Sequence, residues 1–114
     1  MRRHVWQRGD IVVADFDPTL GNEQQGRRPA IVVTQESLNK LGMIGVCPIT
    51  QGGNAARQFG MSVSLTGTGL QTAGIVLVHQ FRMIDPSHRR LTLIEHAPDF
   101  FIEEVRARVA ALVD

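Results

Sequence analysis

The sequence has 114 residues, of which 43% are hydrophobic and 20% are charged. This length predicts one domain over residues 1–114, and the composition excludes an intrinsically disordered chain. No apolar stretch approaches the roughly 20 residues that cross a bilayer, and no apolar segment follows the charged N-terminus. We therefore expect neither a membrane protein nor a secreted one, but a cytoplasmic protein.

The formal net charge is only +1, but the basic residues are unusual in kind. Lys40 is the only lysine among the 12 basic residues, and all the others are arginine. The planar guanidinium group matches the geometry of phosphate oxygens, whereas an ammonium group is a point charge. The chain is therefore suited to holding a few phosphates at defined positions, although a GC-rich genome would produce the same bias.

The cysteine and histidine patterns exclude several common reactive sites. Cys47 is the only cysteine, which excludes an internal disulfide and a cysteine-based zinc site, and its apolar neighbours predict a buried thiol. The four histidines do not show the spacing of zinc ligands. We therefore expect no metal and no other cofactor.

The first third of the chain predicts two strands joined by a polar loop. Residues 11–16 form a β-branched run bounded by glycine and proline, which is typical of a strand. The polar, glycine-containing stretch at 17–28 predicts a loop. A second strand is predicted at 29–34, with Pro29 at its first position, followed by a short helical turn at 35–40.

The middle of the chain predicts further short strands. Residues 43–49 form a third strand that Pro48 should end, and a flexible loop follows at 51–54. Because the run at 75–78 is continuously apolar, we expect both of its faces to be covered. The remaining strands are predicted from alternating or short apolar segments, at residues 61–65, 75–78, 82–85 and 91–94.

Only the C-terminal segment carries a helical period. Pro98 suits a first helical turn, acidic residues precede basic ones as the helix dipole favours, and the apolar stripe predicts a core or dimer contact. The stripe repeats three and four positions apart, at Phe101, Ile102, Val105, Val109, Leu112 and Val113. Many short strands and one closing helix predict a mainly β fold, a small antiparallel β-barrel with a C-terminal α-helix.

The loop at 17–28 contains the strongest candidate for chemistry. Glu23 and Arg28 lie close enough in sequence for the loop to fold the carboxylate back toward the guanidinium. A glutamate can take a proton from a ribose 2′-hydroxyl while an arginine stabilises the charge that develops on the phosphoryl oxygens. The pair therefore favours metal-free phosphodiester cleavage, and a solvated surface pair is the alternative.

Two further clusters give weaker signals. Thr50, together with backbone N–H groups in the glycine-containing loop at 51–54, could hold a phosphate or could belong to an ordinary loop. His79 follows the apolar run at 75–78 and could act as an acid or base or contact a nucleobase. A structural histidine is the alternative for this position.

Five segments, taken in chain order, resemble one protein family. They are similar to the MazF/PemK family of toxin endoribonucleases, at residues 8–12, 16–18, 21–29, 48–54 and 74–82. The stretches at 51–57 and 78–83 are most similar to the ChpB-type branch of that family.

The resemblance implies an SH3-like β-barrel of the CcdB/MazF/PemK type with a C-terminal helix, assembled as a homodimer. It implies the toxin of a type II toxin–antitoxin system, which cleaves single-stranded RNA at short sequences without a metal. The products would carry 2′,3′-cyclic phosphate and 5′-hydroxyl ends. The implied protein partner is an antitoxin whose extended acidic tail occupies the RNA-binding groove.

The resemblance also implies roles for individual residues. Glu23 would be the general base, Arg28 would act on the phosphate and as a general acid, and Thr50 would hydrogen-bond the scissile phosphate. The implied substrate-binding residues are Asn22, Gln24, Arg27, Gln51, Asn54, His79 and Gln80.

Two positions depart from the pattern of the family. Asn22 replaces a histidine of PemK-like members, so an acid–base role proposed there does not transfer to this chain. His79 replaces a common aspartate, which removes a carboxylate from a position proposed to act in catalysis or in reading a base.

Two other functions stay open on the sequence alone. A CcdB-like toxin of the same fold would bind and inhibit a topoisomerase, and an RNA-binding module would hold RNA without cleaving it. The nuclease needs Glu23 opposite Arg28, whereas neither alternative needs that carboxylate.

Overall fold

The computed structural model describes residues 4–17, 26–51 and 61–114. Within these ranges lie seven strands: β1 (Asp10–Asp15), β2 (Arg27–Val32), β3 (Ile44–Thr50), β4 (Ser62–Ser64), β5 (Ile75–Leu77), β6 (Arg82–Ile84) and β7 (Thr92–His96). They form one sheet in the order β4-β5-β3-β2-β1-β7, with β6 also paired to β3. Every pair is antiparallel, as predicted.

Two helices complete the described part of the fold, α1 (Glu36–Asn39) and α2 (Asp99–Ala111), together with 3₁₀ turns at Val78–Gln80 and Pro86–His88. The predicted mainly β fold with a C-terminal helix is confirmed. Neither of these helices has the length and the apolar character needed to cross a membrane.

Successive side chains of a strand point to opposite faces of the sheet, and a buried apolar cluster covers each face of the central strands. On one face, which we call the helix face, α2 packs Phe101, Ile102 and Val105 against β-strand residues that include Ile11 and Ile31. On the other, which we call the far face, a second core forms from Val12, Ala14, Phe16, Ala30, Val32, Ile44, Val46 and Ile84. Burial on both faces explains why the strands read as continuous apolar runs.

Strand β2 begins earlier than predicted, and Arg28 therefore does not lie in a loop. Its backbone pairs with Ala14 of β1, and Pro29 pairs with Val13. The N–H of Phe16 donates to the Gly26 carbonyl (3.0 Å), so Pro29 falls between hydrogen-bonded pairs and its nitrogen points away from β1. Pairing with β3 starts only at the next residue, so the proline interrupts neither ladder.

Strand β3 continues through Pro48 instead of ending there. Its neighbour on one edge is β2, through Ala30↔Pro48, and the opposite edge pairs with β6 at the start of β3 and with β5 at its end. Pro48 faces the gap between β5 and β6, where no ladder requires its missing N–H. The strand therefore reaches Thr50.

The other element ends differ from prediction by small amounts. Val78, predicted as strand, begins a 3₁₀ turn, and β7 extends to His96 because it pairs with Asp10. Helix α2 begins after Pro98, as predicted. The last two residues of the predicted apolar stripe do not pack against the sheet: Leu112 is 39% exposed and Val113 is 87% exposed.

Gly74 allows β5 to approach β3 closely. It precedes β5 with a φ of +125°, and a Cβ at this position would lie 2.5 Å from the carbonyl oxygen of Thr50. The Gly74 carbonyl accepts a hydrogen bond from the N–H of Leu65 (3.0 Å). A side chain here would meet both backbone strain and a steric clash.

We expect Gly74→Ala to lower the free energy of unfolding by more than the matched change Gly67→Ala. Gly67 also has a positive φ, +82°, but among the described residues no atom beyond its two chain neighbours lies within 4 Å of an added Cβ. Gly67→Ala should therefore cost only the left-handed backbone penalty of about 1–2 kcal/mol. Urea denaturation of both variants measures the difference, and equal losses would contradict the proposed clash.

The thiol of Cys47 should be inert in the folded protein. The side chain is fully buried, and this burial raises the pKa of the thiol to about 12. Because the thiolate is the reactive form, we expect no labelling by a thiol reagent at neutral pH until denaturant is added. The thiol has a lower pKa in the unfolded chain than in the folded protein. Ionisation of Cys47 should therefore lower the free energy of unfolding as the pH rises above the pKa of the unfolded thiol. Rapid labelling of the native protein would show that the thiol is accessible.

Candidate active site

Arg28 and Thr50 lie on the same face of the sheet at the ends of neighbouring strands. Arg28 shares the far face with Ala30, two residues along β2, and Thr50 shares it with Pro48, two residues along β3. Both residues lie two positions beyond Ala30↔Pro48, where the pairing of β2 with β3 ends, so they extend from neighbouring strands at the same end of the sheet. Both are half-buried.

The backbone around these two side chains is held firmly. Arg28 is paired with Ala14 on β1, and Thr50 is paired with Ile75 on β5. Gly74 lies against the Thr50 carbonyl. The segment before Gly74 is tied to β7, because Glu95 accepts hydrogen bonds from the backbone N–H groups of residues 71 and 72 (3.0 and 2.8 Å). The guanidinium and the hydroxyl therefore project from backbone with little freedom.

Glu95 is kept charged by the contacts that hold this segment. Desolvation raises the pKa of its carboxyl, but hydrogen bonds from the Thr72 hydroxyl (2.6 Å) and from the backbone of Gln71 and Thr72 outweigh desolvation. The pKa of Glu95 is therefore lowered, and the carboxylate remains a strong acceptor for this segment.

Arg27 projects to the opposite side from Arg28. Adjacent residues of a strand face opposite sides of the sheet, and Arg27 is exposed. Its Nη2 donates to the hydroxyl oxygen of Thr92 on β7 (3.1 Å). Its predicted role in binding substrate stays a prediction, and the contact shows that it stands apart from Arg28 and Thr50.

His79 and Gln80 are also separated from the Arg28–Thr50 pair. Because β5 runs antiparallel to β3, the chain moves away from Thr50 as it passes from Ile75 to the turn Val78–Gln80. His79 is exposed and makes no hydrogen bond with any residue that the structure describes, while Gln80 is half-buried. The position suits contact with a more distant part of a bound ligand.

The remaining predicted site residues divide into two groups. Gln51 is exposed and follows Thr50 directly, so it continues the same edge of the site. The others lie outside the described residues, namely Asn22, Glu23, Gln24 and Asn54. The predicted meeting of Glu23 with Arg28 therefore stays a prediction.

The structure adds an arginine to this face to which the sequence assigned no role. Arg82 on β6 pairs with Val46, which places it on the far face, and its guanidinium carbon lies 5.7 Å from the centre of the Phe16 ring. Phe16 is fully buried, and Arg82 is half-buried. Such stacking orients a cation. The sequence signal was present in the motif at 79–82, but only pairing with β3 shows which face the arginine occupies.

The chain matches a described protein family over most of its length. A family model for the PemK-like, MazF-like toxin of type II toxin–antitoxin systems covers residues 7–113. Endoribonuclease toxin ChpB of Escherichia coli strain K12 is 45% identical over 115 residues, which span 100% of this chain and 99% of that protein. Endoribonuclease PemK of Escherichia coli is 39% identical, over 98% of this chain and 85% of that protein.

Solved structures agree with the sequence relatives. The crystal structure of MazF (Form-I) from Deinococcus radiodurans has a TM-score of 0.86 and 31% identity, covering 97% of this chain and 98% of that chain. A MazE-MazF crystal structure (Form-II) from the same organism has a TM-score of 0.79 and 31% identity, covering 97% of both chains. These matches cover the strands that carry Arg28 and Thr50. The chain therefore belongs to the PemK-like, MazF-like toxin family of type II toxin–antitoxin systems.

Proposed function

We propose that the protein is an endoribonuclease toxin that cleaves single-stranded RNA without a metal ion. The observation that supports this proposal is that Arg28 and Thr50 share the far face at adjacent ends of the neighbouring strands β2 and β3. The family match supports it, as do relatives whose names describe them as endoribonucleases. An RNA substrate and an antitoxin partner would place the reaction in the cytoplasm.

In the proposed reaction, the ribose 2′-hydroxyl attacks the adjacent phosphorus. Glu23 takes the proton of that hydroxyl, the bond from the 2′-oxygen to phosphorus forms, and the bond from phosphorus to the 5′-oxygen breaks. The departing 5′-oxygen takes a proton, for which Arg28 is the proposed donor, and Glu23 then loses its proton to solvent while Arg28 regains one from solvent. The products carry a 2′,3′-cyclic phosphate and a 5′-hydroxyl, so no water is consumed in this step.

Arg28 and Thr50 would stabilise the charge that develops during this attack. The guanidinium binds the non-bridging phosphoryl oxygens, and the Thr50 hydroxyl donates a hydrogen bond to the same phosphate. Proton transfer by a positioned base typically contributes about 10²–10⁴-fold. Loss of one donor to a developing oxyanion typically costs about 10²–10³-fold.

Specificity would come from contacts beyond the scissile phosphate. Asn22, Gln24, Gln51 and Asn54 would line the groove beside it, and the exposed His79 with Gln80 would contact a neighbouring nucleotide. Their amide and imidazole groups can read base edges only where the bases are unpaired, which favours single-stranded RNA. We further propose a homodimer whose groove accepts the acidic tail of a cognate antitoxin.

The test is cleavage of single-stranded RNA by the purified protein in the presence of EDTA. We expect fragments with 2′,3′-cyclic phosphate and 5′-hydroxyl ends. Glu23→Gln, Arg28→Ala and Thr50→Val should each lower the cleavage rate, the first two by at least about 10²-fold. Arg106→Ala is the matched control, because Arg106 contacts only Glu103 on the outer side of α2 among the described residues.

Several outcomes would contradict the proposal. No cleavage by the wild-type protein would favour a binding toxin, such as one that inhibits a topoisomerase. Cleavage that EDTA abolishes would contradict the metal-free reaction. Because Arg28 is half-buried on a strand, Arg28→Lys should accompany Arg28→Ala. A folded Arg28→Ala protein that cleaves at the wild-type rate would remove Arg28 from the reaction, and a folded Arg28→Lys protein that cleaves slowly would show that the loss of rate is not a loss of folding.

A further inference from the structure

The two ends of the segment between Asp17 and Gly26 are tied to each other. The N–H of Phe16 donates to the Gly26 carbonyl (3.0 Å), and the N–H of Gly26 donates to Oδ1 of Asp17 (2.8 Å). Gly26 has a positive φ of +81°, which lets the chain enter β2 directly from this contact. The two hydrogen bonds form a neck, defined here as residues 15–17 and 26–27.

Arg89, from a distant part of the chain, forms hydrogen bonds with this neck. Its Nη1 donates to the carbonyl of Asp17 (2.9 Å), 72 residues away in sequence, and more weakly to the carbonyl of Asp15 (3.5 Å). In return the Arg89 carbonyl accepts a hydrogen bond from the N–H of Asp15 (2.7 Å). Arg89 therefore holds the peptide at the point where the chain leaves β1.

The turn that precedes Arg89 is itself held in place by hydrogen bonds. The preceding turn, Pro86–His88, is capped by Asp85, whose Oδ1 accepts hydrogen bonds from the backbone N–H (2.9 Å) and the hydroxyl (2.6 Å) of Ser87. Asp85 in turn follows β6, which is paired to β3. A connected set of contacts thus links the neck to the strand that carries Thr50.

We propose that Arg89 is a positioning residue for the nuclease site: by fixing the neck, it sets where the segment carrying Glu23 departs relative to Arg28. This inference rests on the proposed function. Arg28 pairs with Ala14 near the end of β1, and Asp17 follows the end of that strand by two residues, so the neck and Arg28 are joined to the same strand. A general base must lie within hydrogen-bond reach of its proton, and a misplacement of about 1 Å can cost about 10²-fold in rate.

Arg89 belongs to neither hydrophobic core of the sheet. Its loss should therefore leave the packing of the strands and α2 in place. The neck would keep its own hydrogen bonds but lose the cation that fixes it to the 3₁₀ turn. We expect the chemical step to slow while RNA binding, which uses groups on the sheet, is retained.

The experiment compares Arg89→Ala and Arg89→Lys with Arg90→Ala as the matched control. Arg90 is the adjacent arginine, its side chain is 73% exposed, and it reaches only the Asp15 carboxylate at 4.0 Å. Three quantities are measured: the single-turnover cleavage rate at saturating enzyme, the affinity for a deoxyoligonucleotide that lacks the 2′-hydroxyl, and the melting temperature. Added guanidinium ion tests rescue of the Arg89→Ala rate.

We expect Arg89→Ala to lower the single-turnover rate about 10- to 100-fold, with unchanged affinity for the deoxyoligonucleotide and with partial rescue by guanidinium. Arg89→Lys, which can donate to one carbonyl, should be intermediate, and Arg90→Ala should match the wild type. If Arg89→Ala fails to fold, a folded Arg89→Lys protein with a reduced rate supports the proposal, and one with the full rate contradicts it.

Two results would overturn the positioning role alone. One is wild-type cleavage together with an unaffected Arg89→Ala rate. The other is a loss of affinity for the deoxyoligonucleotide equal to the loss of rate, which would make Arg89 a direct ligand of the nucleic acid. Absence of cleavage by the wild-type protein would instead overturn the proposed function, and this inference with it.

Discussion

The central strand β3 is the constraint on which the rest of the structure depends. It is covered on both faces and paired on both edges, with β2 on one side and β6 and β5 in succession on the other. Its residues from Ile44 to Ile49 are all buried. A strand enclosed in this way cannot shift register without exposing one core and burying unpaired backbone groups. Thr50, at its end, therefore has a fixed position and a fixed face.

The proposed nuclease uses this rigidity where catalysis gains most from it. The groups that stabilise charge, Arg28 and Thr50, project from paired strands on the far face. Preorganised donors of this kind do not have to reorient as charge develops, which is the reason that electrostatic stabilisation is effective inside proteins. The proposed base, Glu23, belongs instead to the segment that departs from the neck. In the proposed reaction, the position of Glu23 would therefore depend on how firmly that neck is joined to the sheet.

The arginine-rich composition also has a structural explanation. Arg89 donates to backbone carbonyls, Arg82 stacks on Phe16, and Arg27 bonds a threonine hydroxyl, so each uses the planar guanidinium in a different way. One nitrogen of Arg89, Nη1, donates to the carbonyls of both Asp15 and Asp17. Base composition of the genome can supply arginines, but it does not place them at these contacts.

The sequence by itself determined the local elements and the family. Apolar periodicity depends on near neighbours, so it predicted the antiparallel strands and the helix after Pro98, and the ordered motifs indicated the toxin family and named Arg28 and Thr50. Only the tertiary structure decided that β2 and β3 run through Pro29 and Pro48, because a proline is tolerated or not according to which edge its missing N–H faces. It also decided that Arg27 and Arg28 point to opposite faces and that Leu112 and Val113 stay exposed. The contact of Arg89 with Asp17 joins residues 72 positions apart, and no local pattern records such a pairing because the physical partner is set by the folding of the whole sheet.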